Sequence, residues 1–273
     1  MLDKIVYSAP VFVLVFARCI ALIMTLPLFS ARSISRMAKI ALGLYMAYFI
    51  FPQVSLAQGT FSSYAPFITK EGNFNVDFLF LVAGEAIIGI IIGLFIQIIF
   101  AAFSTAGQFF AFQMGLSASE VYDAMSQVEN PLMGQYFNLI AMLIFLQNAW
   151  FQRIFVGALS SSFQAINAFA IVEHSDALLS FMLSSLSLLF KDSLVIALPL
   201  MGTLFLINVT MGILGKAAPQ MNLLSEGFPI LILTAFFLIT ILMPQLCDFF
   251  VDSFAQGFKQ IERLLTELSG GGI

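Results

Sequence analysis

The chain has 273 residues, of which 60% are hydrophobic and 10% are charged, and its mean hydropathy is +1.01. A soluble domain carries about 25% charged residues, so the charges here are too few to cover a water-soluble fold of this size. The formal net charge of −4 comes without any basic cluster, which excludes nucleic-acid binding. The composition therefore predicts an integral membrane protein.

Long apolar runs predict an all-α membrane protein with about six to eight apolar helices. A transmembrane helix needs roughly 20 mostly apolar residues to cross the bilayer core. The runs occupy residues 5–29, 40–56, 78–103, 132–151, 154–172, 181–214 and 228–250. The run at 154–172 is weaker because three serines at 160–162 interrupt it.

Two ionisable residues stand inside the early apolar runs. Ionisable residues in membrane helices are rare and are usually paired or face a cavity. Arg18 either extends to the membrane surface or pairs with Glu85. Around Glu85, Gly89 and Gly93 form a small-xxx-small pattern, which predicts close packing between two helix backbones.

A polar interruption follows the third run, between residues 107 and 134. It contains Gln108, Gln113, several serines and three acids, and it ends in Asn130-Pro131. Irregular backbone at membrane depth is tolerated only inside protein or beside water, because unpaired backbone groups are costly in lipid. The segment is therefore either an exposed loop between two spans or a loop that enters a cavity or pore.

The run at 181–214 is too long for one simple span, and it contains Lys191, Asp192 and Pro199. Lys191 and Asp192 are neighbours in sequence, so they do not share a helix face. They mark either a break between two helices or part of an ion relay. Further on, Gly215 and Pro219 predict a connecting turn, since glycine suits a helix end and proline does not continue a helix.

The end of the chain differs from the rest. Apolar residues recur at helical spacing with charges between them, which predicts a short amphipathic helix. We therefore expect one helical membrane domain over residues 1–255 and an amphipathic tail over residues 256–273. The tail lies on the membrane, packs on a partner, or frays. Its apolar positions are Phe258, Ile261, Leu264, Leu265 and Leu268.

Motifs for catalysis and metal binding are absent from the sequence. Cys19 and Cys247 lack metal-ligand spacing, and the single histidine, His174, stands in a polar connector. No zinc motif, phosphate-binding loop or nucleophile elbow occurs. We therefore expect neither an enzyme nor a bound cofactor or metal ion.

Three ordered sequence blocks carry a family resemblance. The first runs from Arg18 to Phe29 and includes Leu26-Pro27-Leu28. The second holds Gln113-Met-Gly-Leu-Ser117 and, after Asn130-Pro131, continues to Asn138. The third reads Ala218-Pro-Gln-Met-Asn222, with Gly227-Phe-Pro229 shortly after. Together they resemble the FliR family of flagellar type III export gate subunits, whose relatives in injectisomes are the SctT subunits.

The resemblance implies a non-enzymatic subunit of a protein export gate in the bacterial cytoplasmic (inner) membrane, within the flagellar basal body. Such subunits assemble with FliP and FliQ into a hetero-oligomeric pore complex of tilted helical hairpins. FlhA and FlhB are the membrane neighbours, and unfolded flagellar proteins pass through the pore.

The resemblance also implies roles for particular residues. The loop after the second block acts as a pore plug, formed here by Gln113, Met114, Gly115, Leu116, Ser117, Asp123, Met125 and Met133. Polar residues expected to be buried around it support the loop, namely Gln108, Gln135 and Asn138 together with Gln113. The third block forms a structural turn built from Gly215, Pro219, Gln220, Asn222, Gly227 and Pro229.

Two alternatives remain open. A small-solute or ion transporter would use Glu85, Lys191, Asp192 and an interrupted helix near Pro199, because transporters place broken helices at their binding sites. The injectisome equivalent of the same gate subunit is the second alternative.

Overall fold

A computed structural model of the chain describes residues 2–30, 34–54, 60–68, 75–116, 132–218 and 223–268. Within these ranges all regular elements are helices, which confirms the predicted all-α class. The α-helices are α1 (Leu2–Thr25), α2 (Pro27–Ser30), α3 (Arg36–Ile50), α4 (Val76–Gln113), α5 (Leu132–Gln147), α6 (Trp150–Ala165), α7 (Ala170–Glu173), α8 (Ser175–Ala217) and α9 (Leu223–Leu268). Short 3-10 turns lie at Phe51–Gln53 and Thr60–Tyr64, and Ile154–Leu159 within α6 is π-helical.

Three of these helices are long and apolar enough to cross a membrane. They are α4, α8 and α9, with 38, 43 and 46 residues. The pair α5 and α6 is bent by 67° and forms a fourth candidate span. The chain is therefore a membrane protein, as its composition predicts.

The prediction of a helix break within residues 181–214 is wrong, because α8 continues through Lys191, Asp192 and Pro199. Lys191 and Pro199 lie on the exposed side of the helix, where neither is forced against a packed neighbour. Asp192 accepts a hydrogen bond from Ser253 of α9. The helix thus accommodates all three residues without breaking.

The weak point expected at serines 160–162 is also misplaced. These serines lie inside α6, and the run at 154–172 is interrupted after that helix, between Ala165 and Ala170. The hydroxyl of Ser162 donates to the carbonyl of Leu159 at 2.7 Å, and Ser160 donates to Gln53 Oε1 at 2.7 Å. Because the hydroxyls of Ser160 and Ser162 are satisfied by nearby oxygens, these two serines are compatible with a helix.

The described residues divide into two compact units. The first lies within Met1–Ile98, Asn148–Ser185 and Ala255–Ile273, and the second within Ile99–Gln147 and Leu186–Phe254. In the first unit, a β-carbon at Gly93 of α4 would lie 2.7 Å from Thr25 Cβ, and one at Gly89 would lie 3.0 Å from Ala21 Cβ. The predicted close approach of helix backbones at these two glycines is therefore confirmed, with α1 as the partner.

The amphipathic sequence at the end of the chain is the last part of α9, which continues without a break from Leu223 to Leu268. Its apolar side chains are buried in the first unit except Phe258, which is half-buried. Ile261 and Leu265 share a cavity wall with Ile92 and Phe95 of α4. Residues 256–268 thus pack within their own chain, which is none of the three fates expected for the tail. The domain boundary at 255/256 remains a prediction.

Phenylalanine side chains fill the interior of the second unit. Phe103 contacts Phe250 at 4.4 Å between ring centroids, and Phe145 contacts Phe254 at 5.0 Å. Phe100 lies within 5.8 Å of Phe145, Phe250 and Phe254. Edge and tilted ring contacts of this kind stabilise helix packing beyond the buried area alone.

Candidate functional site

A fully buried ion pair joins α1 to α4 in the first unit. Arg18 Nε donates to Glu85 Oε2 at 2.7 Å, and both side chains have 0% exposure. Of the two alternatives expected for Arg18, the structure therefore shows the ion pair with Glu85. A buried charge without a partner is very costly, so each residue makes the other tolerable.

The other two guanidinium nitrogens of Arg18 are also bound. Nη1 donates to Ser162 Oγ at 2.9 Å, and Nη2 donates to the carbonyl of Ile166 at 3.0 Å. The ring of Phe163 lies 4.2 Å from the guanidinium carbon. Arg18 thus ties α1 to α6 and to the chain that follows α6.

Tyr64 completes the cluster from the second 3-10 turn. Its hydroxyl donates to Glu85 Oε1 at 2.5 Å and accepts the backbone N–H of Ala168. Burial, with the neighbouring carboxylate, raises the pKa of Tyr64 far above its usual range, so the hydroxyl keeps its proton. Nearby, Thr60 donates to the carbonyl of Phe163 at 2.6 Å, which fixes the turn to α6.

The cluster of Arg18, Glu85, Tyr64 and Ser162 is a closed hydrogen-bond network. Each guanidinium nitrogen and both carboxylate oxygens have a partner, and four segments of the chain meet there. Such networks hold segments in one arrangement when every member is satisfied. The arrangement therefore suits an anchor better than a site that binds and releases an ion.

Sequence reasoning selected Arg18 and Glu85 but missed Tyr64 and Ser162. Charges in apolar runs are conspicuous, whereas a tyrosine and a serine in polar stretches are ordinary. The remaining predicted charges, Lys191 and Asp192, belong to the second unit. Lys191 is exposed on α8, and Asp192 is held by Ser253.

The predicted plug segment begins with a helix cap. After α4 ends at Gln113, Leu116 N–H donates to the carbonyl of Ala111 at 3.0 Å, and Gly115 N–H donates to Phe112 at 3.2 Å. Gly115 has a φ of 76°. Together these features form a Schellman motif, in which glycine takes the left-handed position. Residues Gln113–Leu116 therefore form the root of the loop.

Two further helices contact this root. Asn208 Nδ2 of α8 lies 3.4 Å from both the carbonyl and Oε1 of Gln113. The ring of Phe228 on α9 covers Gly115, and a β-carbon there would lie 2.8 Å from Phe228 Cδ1. Met114 is fully buried. The root is thus held from α8 and α9 as well as by its own cap.

The return end of the segment packs against α4. Met133, near the start of α5, is buried, and a β-carbon at Gly107 would lie 2.6 Å from the Met133 carbonyl oxygen. The helices α4 and α5 therefore meet backbone to backbone at Gly107 and Met133. Three of the predicted plug residues lie outside the described residues, namely Ser117, Asp123 and Met125.

The polar residues predicted to support the loop differ in exposure. Gln108 and Gln135 are exposed, so their expected burial is wrong, whereas Asn138 is half-buried. The reason is helical phase, since Gln108 lies between Ala106 and Phe110, which take the buried side of α4. Their role as supports for the loop remains a prediction.

The predicted turn between α8 and α9 is shorter than expected. Gly215 lies in α8, and Gly227 and Pro229 lie in α9, so these three are helical rather than turn residues. Gly227 is buried beside Met211, and Pro229 is exposed, where its ring avoids packed neighbours. The other predicted turn residues, Pro219, Gln220 and Asn222, are outside the described residues.

The sequence of this chain matches a known protein family. A family model described as "Bacterial export proteins, family 1" matches residues 9–257. The chain belongs to this family. The match covers most of the chain, including the buried cluster, the loop root, all of α8, and α9 as far as residue 257.

Individual relatives agree with this family. The chain is 30% identical to "Flagellar biosynthetic protein FliR" of Pectobacterium carotovorum subsp. carotovorum over 259 residues, which cover 93% of this chain and 92% of the relative. It is 29% identical to the protein of the same name from Escherichia coli (strain K12) over 255 residues. It is also 29% identical to "Surface presentation of antigens protein SpaR" of Shigella flexneri, over 59% of this chain and 62% of that one. The expected resemblance to the FliR family is confirmed.

Proposed function

We propose that the chain is a non-enzymatic subunit of the flagellar type III protein export gate and forms part of the pore for unfolded flagellar proteins. The observation that carries this proposal is the match to flagellar FliR proteins over more than nine-tenths of both chains. The match to SpaR covers a smaller share of each chain, which favours the flagellum over the injectisome.

Exposed apolar surface supports a role within a hetero-oligomer. In the most apolar stretch of α4 half of the residues are buried, whereas in those of α8 and α9 only 22% and 17% are. Extended apolar faces of this size require lipid or other subunits as cover. We propose FliP and FliQ as the subunits that share the pore, FlhA and FlhB as neighbours, and the basal body in the cytoplasmic membrane as the location.

The loop between α4 and α5 is proposed as a plug that seals the resting pore. Its root supports this role, because Gln113–Leu116 is capped and held by Asn208 and Phe228. Met114 and Met133 flank the segment, and methionine side chains repack easily around different neighbours. A root held on several sides, with methionine at both ends of the segment, suits a segment that seals a channel.

The transporter alternative is less well supported by the geometry. Its support was Glu85, Lys191, Asp192 and an interrupted helix near Pro199. Glu85 is fully buried with both oxygens occupied, and α8 is continuous through Pro199. A coupling carboxylate needs room to exchange an ion, which a closed network does not provide.

The proposal is tested by removing the gene from its native host and measuring hook protein in the culture fluid. We expect hook protein to be made but retained in the cells, and restoring this chain to restore its export. Normal export without the chain would contradict the proposal. A transporter role would instead predict lost uptake of a solute with export intact.

Assembly gives a second test. The exposed apolar faces predict that the chain aggregates in detergent when expressed alone and becomes monodisperse when expressed with FliP and FliQ. A stable, monodisperse chain without partners would count against a subunit role.

A further inference from the structure

A groove in the first unit lies between α6 and the end of α9. Its volume is about 850 Å³. Binding pockets in proteins commonly measure about 300–1,000 Å³, so the groove is large enough to hold several side chains of a partner. The residues that line it are Gly157, Ser161, Gln164 and Ala165 of α6 and Glu262, Leu265 and Thr266 of α9.

The helix α6 has polar residues on two sides, and only one side is used within the fold. Towards the interior, Ser162 and the carbonyl of Ile166, just after the helix, bind Arg18. Ser161 and Gln164 are exposed and line the groove instead. The π-helical turn Ile154–Leu159 directly precedes them, and π-helical turns occur frequently at functional sites.

Three side chains in the groove have hydrogen-bonding groups without a partner among the described residues. They are the hydroxyl of Ser161, the amide of Gln164 and the carboxylate of Glu262. Their polar neighbours differ, since Ser160 donates to Gln53 and Thr266 donates to the backbone carbonyl of Glu262 at 2.8 Å. The groove therefore brings together polar groups from two helices that are available to a partner.

The charge in the groove indicates what kind of partner fits. Among the described residues that line it, Glu262 is the only charged one. Lys259 and Arg263 are exposed on the same helix but lie outside the groove. A carboxylate binds the ammonium group of lysine or the guanidinium group of arginine in a charge-assisted hydrogen bond. The groove is therefore complementary to a basic side chain.

The openness and polarity of the groove favour a protein over a small molecule. Small-molecule sites are mostly apolar and enclose their ligand, whereas protein interfaces are open and combine an apolar centre with a polar rim. Here the buried side chain of Leu265 supplies the apolar part, beside the small residues Gly157 and Ala165.

We propose that this groove docks a segment of another protein in which a lysine or arginine pairs with Glu262. Ser161 and Gln164 then hydrogen-bond to the same segment. The groove is separate from the apolar stretches of α8 and α9 that other pore subunits are proposed to cover, so it adds a second interaction surface.

Site-specific photo-crosslinking in the native host tests this assignment. The photoreactive residue p-benzoylphenylalanine replaces Gln164 in the groove or, as a control, Val156, which is 69% exposed on the same helix but outside the groove. Crosslinked proteins are purified with the chain after irradiation and identified by mass spectrometry. The variant labelled at Gln164 is then combined with Glu262→Arg or with the conservative change Glu262→Asp. Because Gln164 and Glu262 are exposed, the protein level in membranes is expected to stay unchanged.

We expect one protein to crosslink from position 164 and not from position 156, through a segment that contains a lysine or arginine. Glu262→Arg is expected to lower the crosslink yield about tenfold or more, because like charges placed opposite each other disfavour a contact. Glu262→Asp should keep most of the yield. Changing the basic residue of the partner to glutamate should then restore crosslinking in the Glu262→Arg variant.

The proposal is overturned if position 164 gives no crosslink, if it crosslinks only to lipid, or if charge reversal leaves the yield unchanged. Equal crosslinking of the same protein from positions 156 and 164 would also overturn it. None of these results depends on export of hook protein, so the groove and the proposed function are tested separately.

Discussion

Phe228 on α9 covers Gly115 at the end of α4 so closely that a β-carbon at residue 115 would lie 2.8 Å from a ring carbon. Gly115 also has a φ of 76°, which glycine adopts without strain. Two independent constraints therefore act on one residue at the root of the proposed plug. They predict that a second substitution at Phe228 restores part of the export that a substitution at Gly115 removes.

Gly115→Ala is expected to reduce export of hook protein, because alanine costs about 1 kcal/mol in the left-handed position and its β-carbon collides with Phe228. Adding Phe228→Leu is expected to restore part of the export by removing the collision. The matched control is Phe237→Leu, which replaces an exposed ring on the same helix and should restore nothing. Equal restoration by both substitutions would show that the ring contact is irrelevant.

The buried ion pair predicts a large loss of stability from a small change. Glu85→Gln removes one charge and leaves Arg18 buried without a counterion, which costs about 3–5 kcal/mol. We expect the protein level in membranes to fall sharply, and Arg18→Met combined with Glu85→Gln to recover part of it. Glu262→Gln, on the exposed face of α9, is the control. An unchanged protein level in the Glu85→Gln variant would contradict the role of the pair.

Tyr64 provides a finer test of the same cluster. Tyr64→Phe removes the hydroxyl that bridges Glu85 and the N–H of Ala168. Leaving these buried groups without that partner is expected to destabilise the fold by about 1–3 kcal/mol. The measurement is the thermal unfolding temperature of the purified complex. Tyr48→Phe is the matched control, since Tyr48 is 70% exposed, and a similar effect of both changes would argue against the bridge.

The helices were predictable from sequence because apolar runs have a direct physical cause, whereas several of their ends were not. The third run was expected to end at Phe103, but α4 continues to Gln113. Gln108 is polar yet lies on the exposed side of the helix, so it does not end it. Hydropathy alone does not register this helical phase.

The candidate sites were predictable only in part, for a related reason. Arg18 and Glu85 are conspicuous because charge is rare in apolar helices. Their pairing was therefore predictable although 67 positions separate them in the sequence. Ser162 and Tyr64 reach the same cluster only through tertiary packing, which no local pattern records. The contact of Phe228 with Gly115 likewise appears only once α9 is placed beside the end of α4.

The central claim is that this chain belongs to a protein-conducting pore that its own loop seals, and deletion of residues 117–123 tests it most directly. The deletion leaves the helix cap at Gly115 intact, so a failure of α4 to end correctly does not confuse the result. Ion leak across the membrane and export of hook protein are measured in the native host, with complex assembly checked by co-purification. We predict ion leak from an assembled complex. A tight membrane with normal export would contradict the claim.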